Sequence, residues 1–355
     1  MMENKFSSHY SSTSRGAYFV RKGLTIKEIE EIAKDQYLRV ILIDSLTKSE
    51  FEQLEKYIFS KKLNILLSKT SKLLPEPLDL SFLKHLPSLK RLRICDATKL
   101  TNFDQIKFMN ELEEISFYRF EPELLEILKV INPNNIKSLS IENNLSKGFN
   151  VDFISKFYNL KSLHIEGPCK GIEEIGKLLD LESLVLRSIS YSNLDFIGNL
   201  TKLWSIDIKL GGIRDFTILS KLPQVKYLEL WQIKGLSDIS FIAKMTELQN
   251  LHLESLVNVT HFPSFEKLKK LRRIKLMNLK GLNNFDELKL VPNLQDFFFT
   301  MIHQQQPEDL IPVLQNTNLK YIYVNFPSDK NNKAFEELAK AHGKQISYLP
   351  EFIYD

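Results

Sequence analysis

Apolar residues recur along this chain in a fixed order, seen most clearly from Val225 onward. They stand at Val225, Leu228, Leu230, Ile233, Leu236, Ile239, Ile242 and Met245, and the series restarts at Leu248 and at Leu271. The restarts are 248 − 225 = 271 − 248 = 23 residues apart, and Leu294 opens the next series at the same interval. All 24 positions of these three series are apolar in a chain that is 43% hydrophobic, a coincidence with odds on the order of one in a billion. Within each series two apolar residues stand two apart (Leu228 and Leu230, Leu251 and Leu253), which predicts a short strand with one face inward. The remainder carries an apolar residue at every third position, which predicts tight 3₁₀ or short α turns covering the same core.

The Leu-x-x-Leu-x-Leu opening can be followed at Leu38, Leu63 (degenerate), Leu89, Leu112, Ile136, Leu160, Leu181, Leu203, Val225, Leu248, Leu271, Leu294 and Leu319. About 13 repeats of 21 to 26 residues are therefore expected. One residue is missing between Leu203 and Val225, yet Ile213, Phe216, Leu219 and Leu222 keep their spacing of three. Each repeat would add one strand to a parallel sheet and one return segment behind it. Two returns, Glu121 to Ile131 and Pro307 to Leu314, read as true helices. Strands stack about 4.8 Å apart and returns are wider, so the stack is expected to curve with its sheet on the concave side. The handedness of parallel crossovers predicts a right-handed coil.

These openings resemble the leucine-rich repeat family, in particular the 22–23-residue kind of internalin-like and phosphatase-regulatory members. The resemblance covers Leu38 to Asn325 and implies an α/β fold, a leucine-rich repeat solenoid. One departure stands out. The asparagine usual eight residues after the first leucine is replaced by Ile233, Leu256, Leu279 and Ile302, and only Asn144 matches. The turn after each strand must then be satisfied by other means.

A repeat stack needs covered ends. Two capping boxes, Thr25-Ile26-Lys27-Glu28 and Thr47-Lys48-Ser49-Glu50, predict helices over 26–33 and 48–59. A charged helix over about 331–341, stopped by Gly343 and followed by a short apolar tail to Tyr354, reads as the second cap. The expected organisation is an N-terminal tail and helical cap over 1–37, repeats over 38–326 and a C-terminal cap over 327–355, with no separate globular domain.

Composition adds limits. Of 355 residues 56 are leucine, and the net charge is 48 − 44 = +4, too small to imply nucleic acid or an anionic membrane as partner. Two cysteines, Cys95 and Cys169, make no disulfide framework and suggest a reducing compartment. Met1 to Ser14 lacks a signal-peptide core, and no apolar run reaches the roughly 18–20 residues of a membrane helix. The sequons at Asn144, Asn199 and Asn258 therefore read as chance matches, and the cytoplasm is the expected location.

Candidate chemistry is sparse. Gly171-Ile172-Glu173-Glu174-Ile175-Gly176-Lys177 has the spacing of a phosphate-binding loop, but Leu178 replaces the hydroxyl residue and two glutamates oppose a phosphate. Ile172, Ile175 and Leu178 are also core positions of their repeat. His164 and His252 are equivalent strand positions four repeats apart, roughly 20 Å at 4.8 Å per strand, too far to share a metal. Cys95 maps to the concave surface with no partner base of the repeat beside it. Gln304-Gln305-Gln306 reads as a surface loop. No enzyme, cofactor or metal is expected.

Counting each opening residue as zero, offsets 0, 3 and 5 point inward and offsets 2, 4 and 6 face the hollow. Offset 2 carries a serine row through the middle repeats (Ser138, Ser162, Ser183, Ser205), with His252 of offset 4 expected to face solvent further on. From Tyr227 onward the face gathers residues of the types enriched at interface hot spots. The candidate protein-binding residues are Tyr227, Glu229, Trp231, His252, Glu254, Arg273, Lys275, Phe298, Tyr321 and Tyr323. The expected function is a non-catalytic recognition scaffold binding a protein partner there. By analogy within the family, and with a Lys-, Asn-, Ile- and Phe-rich chain that looks bacterial, an immunity or inhibitor protein against a toxin is the finer expectation. The alternatives are a regulatory subunit of a phosphatase or other enzyme, then a nucleic-acid binder using Arg91, Arg93, Arg187, Lys209, Arg273 and Lys275, then a cryptic enzyme.

Overall fold

The computed structural model describes residues 10–62, 64–70, 77–143 and 148–355, without the side chains of Thr13 and Thr70. His9, Leu63, Asn144 and the start of the N-terminal tail lie outside the described residues. Two compact units divide the chain, residues 1–174 and 175–355. Both are built from the same repeat, and the fold is that of a leucine-rich repeat solenoid.

In the first unit eight strands make a sheet. Tyr10–Ser14 pairs antiparallel with Ala17–Val20, and parallel pairing continues through Val40–Ile43, Leu66–Thr70, Arg91–Cys95, Glu114–Tyr118, Ser138–Glu142 and Ser162–Glu166. The hairpin over 10–20 is an addition to the expected tail. It pairs the edge of Val40–Ile43 and puts the short polar strand Tyr10–Ser14 outermost. The helices Ile26–Lys34 and Lys48–Leu54 start at the two predicted capping boxes, and the second runs on as a wider π turn over Glu55–Phe59.

The second unit has the strands Ser183–Arg187, Ser205–Lys209, Tyr227–Trp231, Asn250–Glu254, Arg273–Met277, Asp296–Thr300, Tyr321–Val324 and Gln345–Ile346, all parallel. From Arg91 to Thr300 every five-residue strand begins at offset 2 and ends at offset 6, as the opening predicts. Returns are 3₁₀ turns such as Ser240–Lys244 and Asp286–Leu290. The two expected helices are only half helical: 3₁₀ turns over Pro122–Glu126 and Pro307–Leu310 lead into single α turns, Ile127–Val130 and Ile311–Leu314. A helix over Asp329–Ala341 buries Phe335 and Ala339, and Gly343 follows it at φ +67°.

The missing asparagine ladder has a backbone substitute. The residue at offset 7 is left-handed at Asp96, Arg119, Ser188, Leu210, Gln232, Ser255, Asn278 and Met301, with φ between 51° and 57°, and at Gly167. That twist turns its N–H onto the last strand carbonyl of the next repeat: Leu210 to Trp231 (2.8 Å), Gln232 to Glu254 (2.8 Å), Ser255 to Met277 (2.9 Å). The following residue is then free to be Ile233, Leu256, Leu279 or Ile302, each at most 4% exposed. Further on, an Asx turn starts the return, as where Asp215 accepts from Thr217 N, Asp238 from Ser240 N and Asn284 from Asp286 N.

Candidate functional site

Strict in-register pairing turns the outward offsets into columns of side chains. In the second unit offset 2 reads Ser183, Ser205, Tyr227, Asn250, Arg273, Asp296, Tyr321, and offset 4 reads Val185, Asp207, Glu229, His252, Lys275, Phe298, Tyr323. Neighbours along a column stand one strand spacing apart and pack on each other. Several candidate residues are consequently buried, against the expectation of a solvated face: Glu229, His252 and Arg273 are 8%, 7% and 6% exposed. Tyr227, Trp231, Glu254, Lys275, Phe298, Tyr321 and Tyr323 are half-buried.

One group centres on Glu229. Its carboxylate accepts from the Tyr227 hydroxyl, lies 3.4 Å from His252 Nδ1, and meets Lys209 Nζ at 3.1 Å. Lys209 also reaches Asp207 at 2.8 Å, and His252 Nε2 stands 3.7 Å from Glu254. Burial would raise the Glu229 pKa, but hydrogen bonds from His252 and Tyr227 bring it down to about 2. Asp207 goes the other way: burial, then the Glu229 charge, push it up to about 6 in spite of Lys209. Tyr227 is raised by burial and by its bond to Glu229. Lys209 and Arg187 in turn lie on the Trp231 ring, 5.9 and 5.1 Å from its centroid.

The second group is an ion pair and an aromatic stack. Arg273 gives Nε (2.9 Å) and Nη2 (2.6 Å) to Asp296 Oδ2. Phe298 stacks on Tyr323 at 5.2 Å, with Lys275 Nζ 5.8 Å from the Phe298 ring, and Tyr323 stacks on Tyr348 at 4.9 Å. Tyr321 stands in register between Asp296 and Gln345.

The chain's own residues 348–355 also lie on this face, beyond the capping role that the apolar tail predicts. Arg273 Nη2 donates to the Pro350 carbonyl (2.8 Å) and Arg272 Nη2 to that of Ile353 (2.9 Å). The Phe352 ring centroid is 5.0 and 4.9 Å from the Arg272 and Arg273 guanidinium carbons. Tyr354 rests 5.1 Å from Trp204 and 6.5 Å from Tyr227, and its hydroxyl accepts from Asn250 Nδ2 (3.0 Å). Trp204, Lys226, Gln249 and Arg272 all occupy offset 1, a position the outward assignment omitted. The available signal was Phe352 and Tyr354 two residues apart, which place two rings on one side of an extended segment.

Among the described residues, two histidine–carboxylate groups, Glu142–His164–Glu166 and Glu229–His252–Glu254, bring ligand-type atoms within 4.8 Å of one another. Sequence reasoning tested the histidines against each other and missed the glutamates beside each. In the second group the Glu229 carboxylate already carries the Lys209 ammonium on its other oxygen, at 3.1 Å. Elsewhere, Ile172, Ile175 and Leu178 are buried as core. Cys95 is held 3.8 Å from Ser68 Oγ and its pKa is raised by burial, while burial pushes Cys169 up to about 12, so neither is a ready thiolate. Gln305 corrects the surface-loop expectation. It is buried and donates to the carbonyls of Leu279 (3.1 Å) and Leu282 (2.5 Å). No helix among the described residues is long and apolar enough to cross a membrane.

No family model matches the sequence, and no curated protein is similar to it. Solved structures are. An internalin (inlF) of Listeria monocytogenes is 16% identical, with a TM-score of 0.50 over 92% of this chain and 95% of that one. Mouse RP105, seen in complex with MD-1, is 17% identical with a TM-score of 0.54, over 80% of this chain and 55% of that one. Both likenesses are of fold.

Proposed function

We propose that this chain is a non-catalytic recognition scaffold that takes a protein partner on the outward sheet face between Ser205 and Val324. The observation that carries this reading is the fixing of large side chains before any partner arrives: Trp231, Tyr227, Phe298 and Tyr323 are clamped by cations, carboxylates and neighbouring rings. Side chains already ordered lose little entropy on binding, which favours tight association. The structure of mouse RP105 with MD-1 supports it as a precedent on the same fold. Tight, lasting capture suits an inhibitor or immunity protein better than a transient adaptor, and free thiols at Cys95 and Cys169 suit a reducing compartment. The nucleic-acid reading loses support because three of its six basic residues are spent on neighbouring carboxylates: Arg91 on Glu114, Lys209 on Asp207 and Glu229, Arg273 on Asp296.

The test is affinity measurement with a partner captured from the source cell. Trp231→Ala is expected to weaken binding by on the order of 2 kcal/mol, while Ser162→Ala leaves it unchanged. Retained binding in Trp231→Ala, with loss on substituting the exposed Leu179 (59%) of the return side, overturns the assignment of the face.

A further inference from the structure

The segment over residues 348–355 crosses the sheet instead of extending it. It starts at Tyr323, passes Arg273 and Arg272, and ends on Asn250, Tyr227 and Trp204. Four to five strand gaps of about 4.8 Å make about 19–24 Å. Six residue steps of extended chain, at about 3.3–3.6 Å each, cover about 20–22 Å. The segment is therefore stretched across the strands, and its side chains alternate. Phe352 and Tyr354 face the sheet, whereas Glu351 and Ile353 point away, Ile353 being 78% exposed.

The contacts divide into two kinds. Guanidinium groups grip the backbone carbonyls of Pro350 and Ile353, bonds open to any sequence. The two rings select: Phe352 is bracketed by Arg272 and Arg273, and Tyr354 by Trp204, Tyr227 and the Asn250 amide. Asp355 adds a carboxylate 3.1 Å from Arg272, and its N–H donates to Gln249 Oε1 at 3.1 Å. A cavity of about 390 Å³ remains beside Tyr354, lined by Glu182, Lys202, Trp204, Gln224 and Lys226, room for more than one tyrosine ring.

We propose that this groove is a peptide-binding site for an extended segment of a partner carrying two aromatic residues at i and i+2 followed by an acidic residue, and that residues 348–355 occupy it in cis until such a segment displaces them. The inference rests on the recognition reading above and names the chemistry of what is recognised. It also sets a threshold. A tethered occupant acts at an effective concentration of about 1 mM, so against a segment of about 10–100 μM intrinsic affinity a competitor binds about ten- to a hundredfold more weakly than to the open groove.

The test uses the full chain with Phe352→Ala and Tyr354→Ala, two substitutions on an outer segment, and a fluorescein-labelled synthetic peptide with the sequence of residues 348–355. The substituted chain is expected to bind this peptide saturably and at least about tenfold more tightly than the unsubstituted chain. Adding Arg272→Ala, with folding checked by circular dichroism, is expected to abolish the gain, as is alanine at both aromatic positions of the peptide. Equal binding by both chains, indifference to Arg272→Ala, or no saturable binding up to about 1 mM overturns the proposal. If the peptide fails while a captured protein still depends on Trp231, this inference alone falls. If neither depends on the face, the recognition reading falls with it.

Discussion

Replacing Arg273 by methionine isolates the energetics of the outward face. Besides its bond to the Pro350 carbonyl, the guanidinium makes two to Asp296 Oδ2, at 2.9 and 2.6 Å, in a pair whose side chains are 7% and 8% exposed. Methionine fills much of the same space but strands the Asp296 carboxylate in a site closed to water. Breaking a buried pair from one side costs about 3–5 kcal/mol, because the remaining charge has lost its compensation. Adding Asp296→Asn removes that charge, so the double variant should fall by only about 1–2 kcal/mol, a coupling of at least about 2 kcal/mol. Urea unfolding followed by tryptophan emission reads this directly, since both tryptophans, Trp204 and Trp231, belong to the unit over 175–355. A single-variant cost below about 1 kcal/mol, or strictly additive losses, would refute the claim that in-register columns bury charge on this sheet.

Further outcomes are expected. Leu253→Asp, at a site with 0% exposure, should cost about 4 kcal/mol in a chemical melt, whereas Val257→Asp, 53% exposed, should cost under about 0.5 kcal/mol; equal losses would sink the inward assignment. His252→Asp sets a third carboxylate between Glu229 and Glu254 and should cost about 1–2 kcal/mol rather than nothing. Met301→Gly should stabilise by about 0.5–1 kcal/mol, since Met301 is left-handed and exposed, whereas Gly167→Ala should destabilise, its added carbon meeting Asn143 O at 2.1 Å; the reverse order would reject the left-handed turn as the repeat's device. Stability should rise with pH through the range from about 2 to 4.5, where Glu229 is ionised in the folded chain but still protonated when unfolded. It should fall between about pH 4 and 6, where folded Asp207 retains a proton that the unfolded chain has lost, by about 2 kcal/mol after allowance for residual solvent. Asp207→Asn should remove that fall in a pH series of melts, and an unchanged slope would contradict the raised pKa.

The core was legible because every repeat restates it. Leu228, Leu251 and Ile274 share one offset, one direction and 0% exposure, so an error at one place would be outvoted by the others. The turn was legible only as a deficit. Ile233 in place of asparagine announced a missing hydrogen bond, but its substitute, a left-handed residue one position earlier, is read by Arg119, Ser188, Leu210 and Met301 alike. A conformation accepted by four such different side chains leaves no mark in composition, and glycine declares it only at Gly167.

The outward face lies between these cases. Its directions follow from the period, but the burial of Glu229 or His252 depends on which side chains the neighbouring strands place beside them. A column of Asp207, Glu229, His252 and Lys275 closes over its acids because His252 stands against Glu229 while Lys209, from offset 6, bridges Glu229 and Asp207. The crossing segment is further from the sequence still. Tyr354 meets Trp204 across 150 positions, and no period relates them. What makes that contact possible is a by-product of the repeat: offset 1 falls just before each strand and was under no requirement to be apolar, so Trp204, Lys226, Gln249 and Arg272 were free to diverge. Periodic positions build the sheet, and the aperiodic ones beside them are where a particular ligand can be specified.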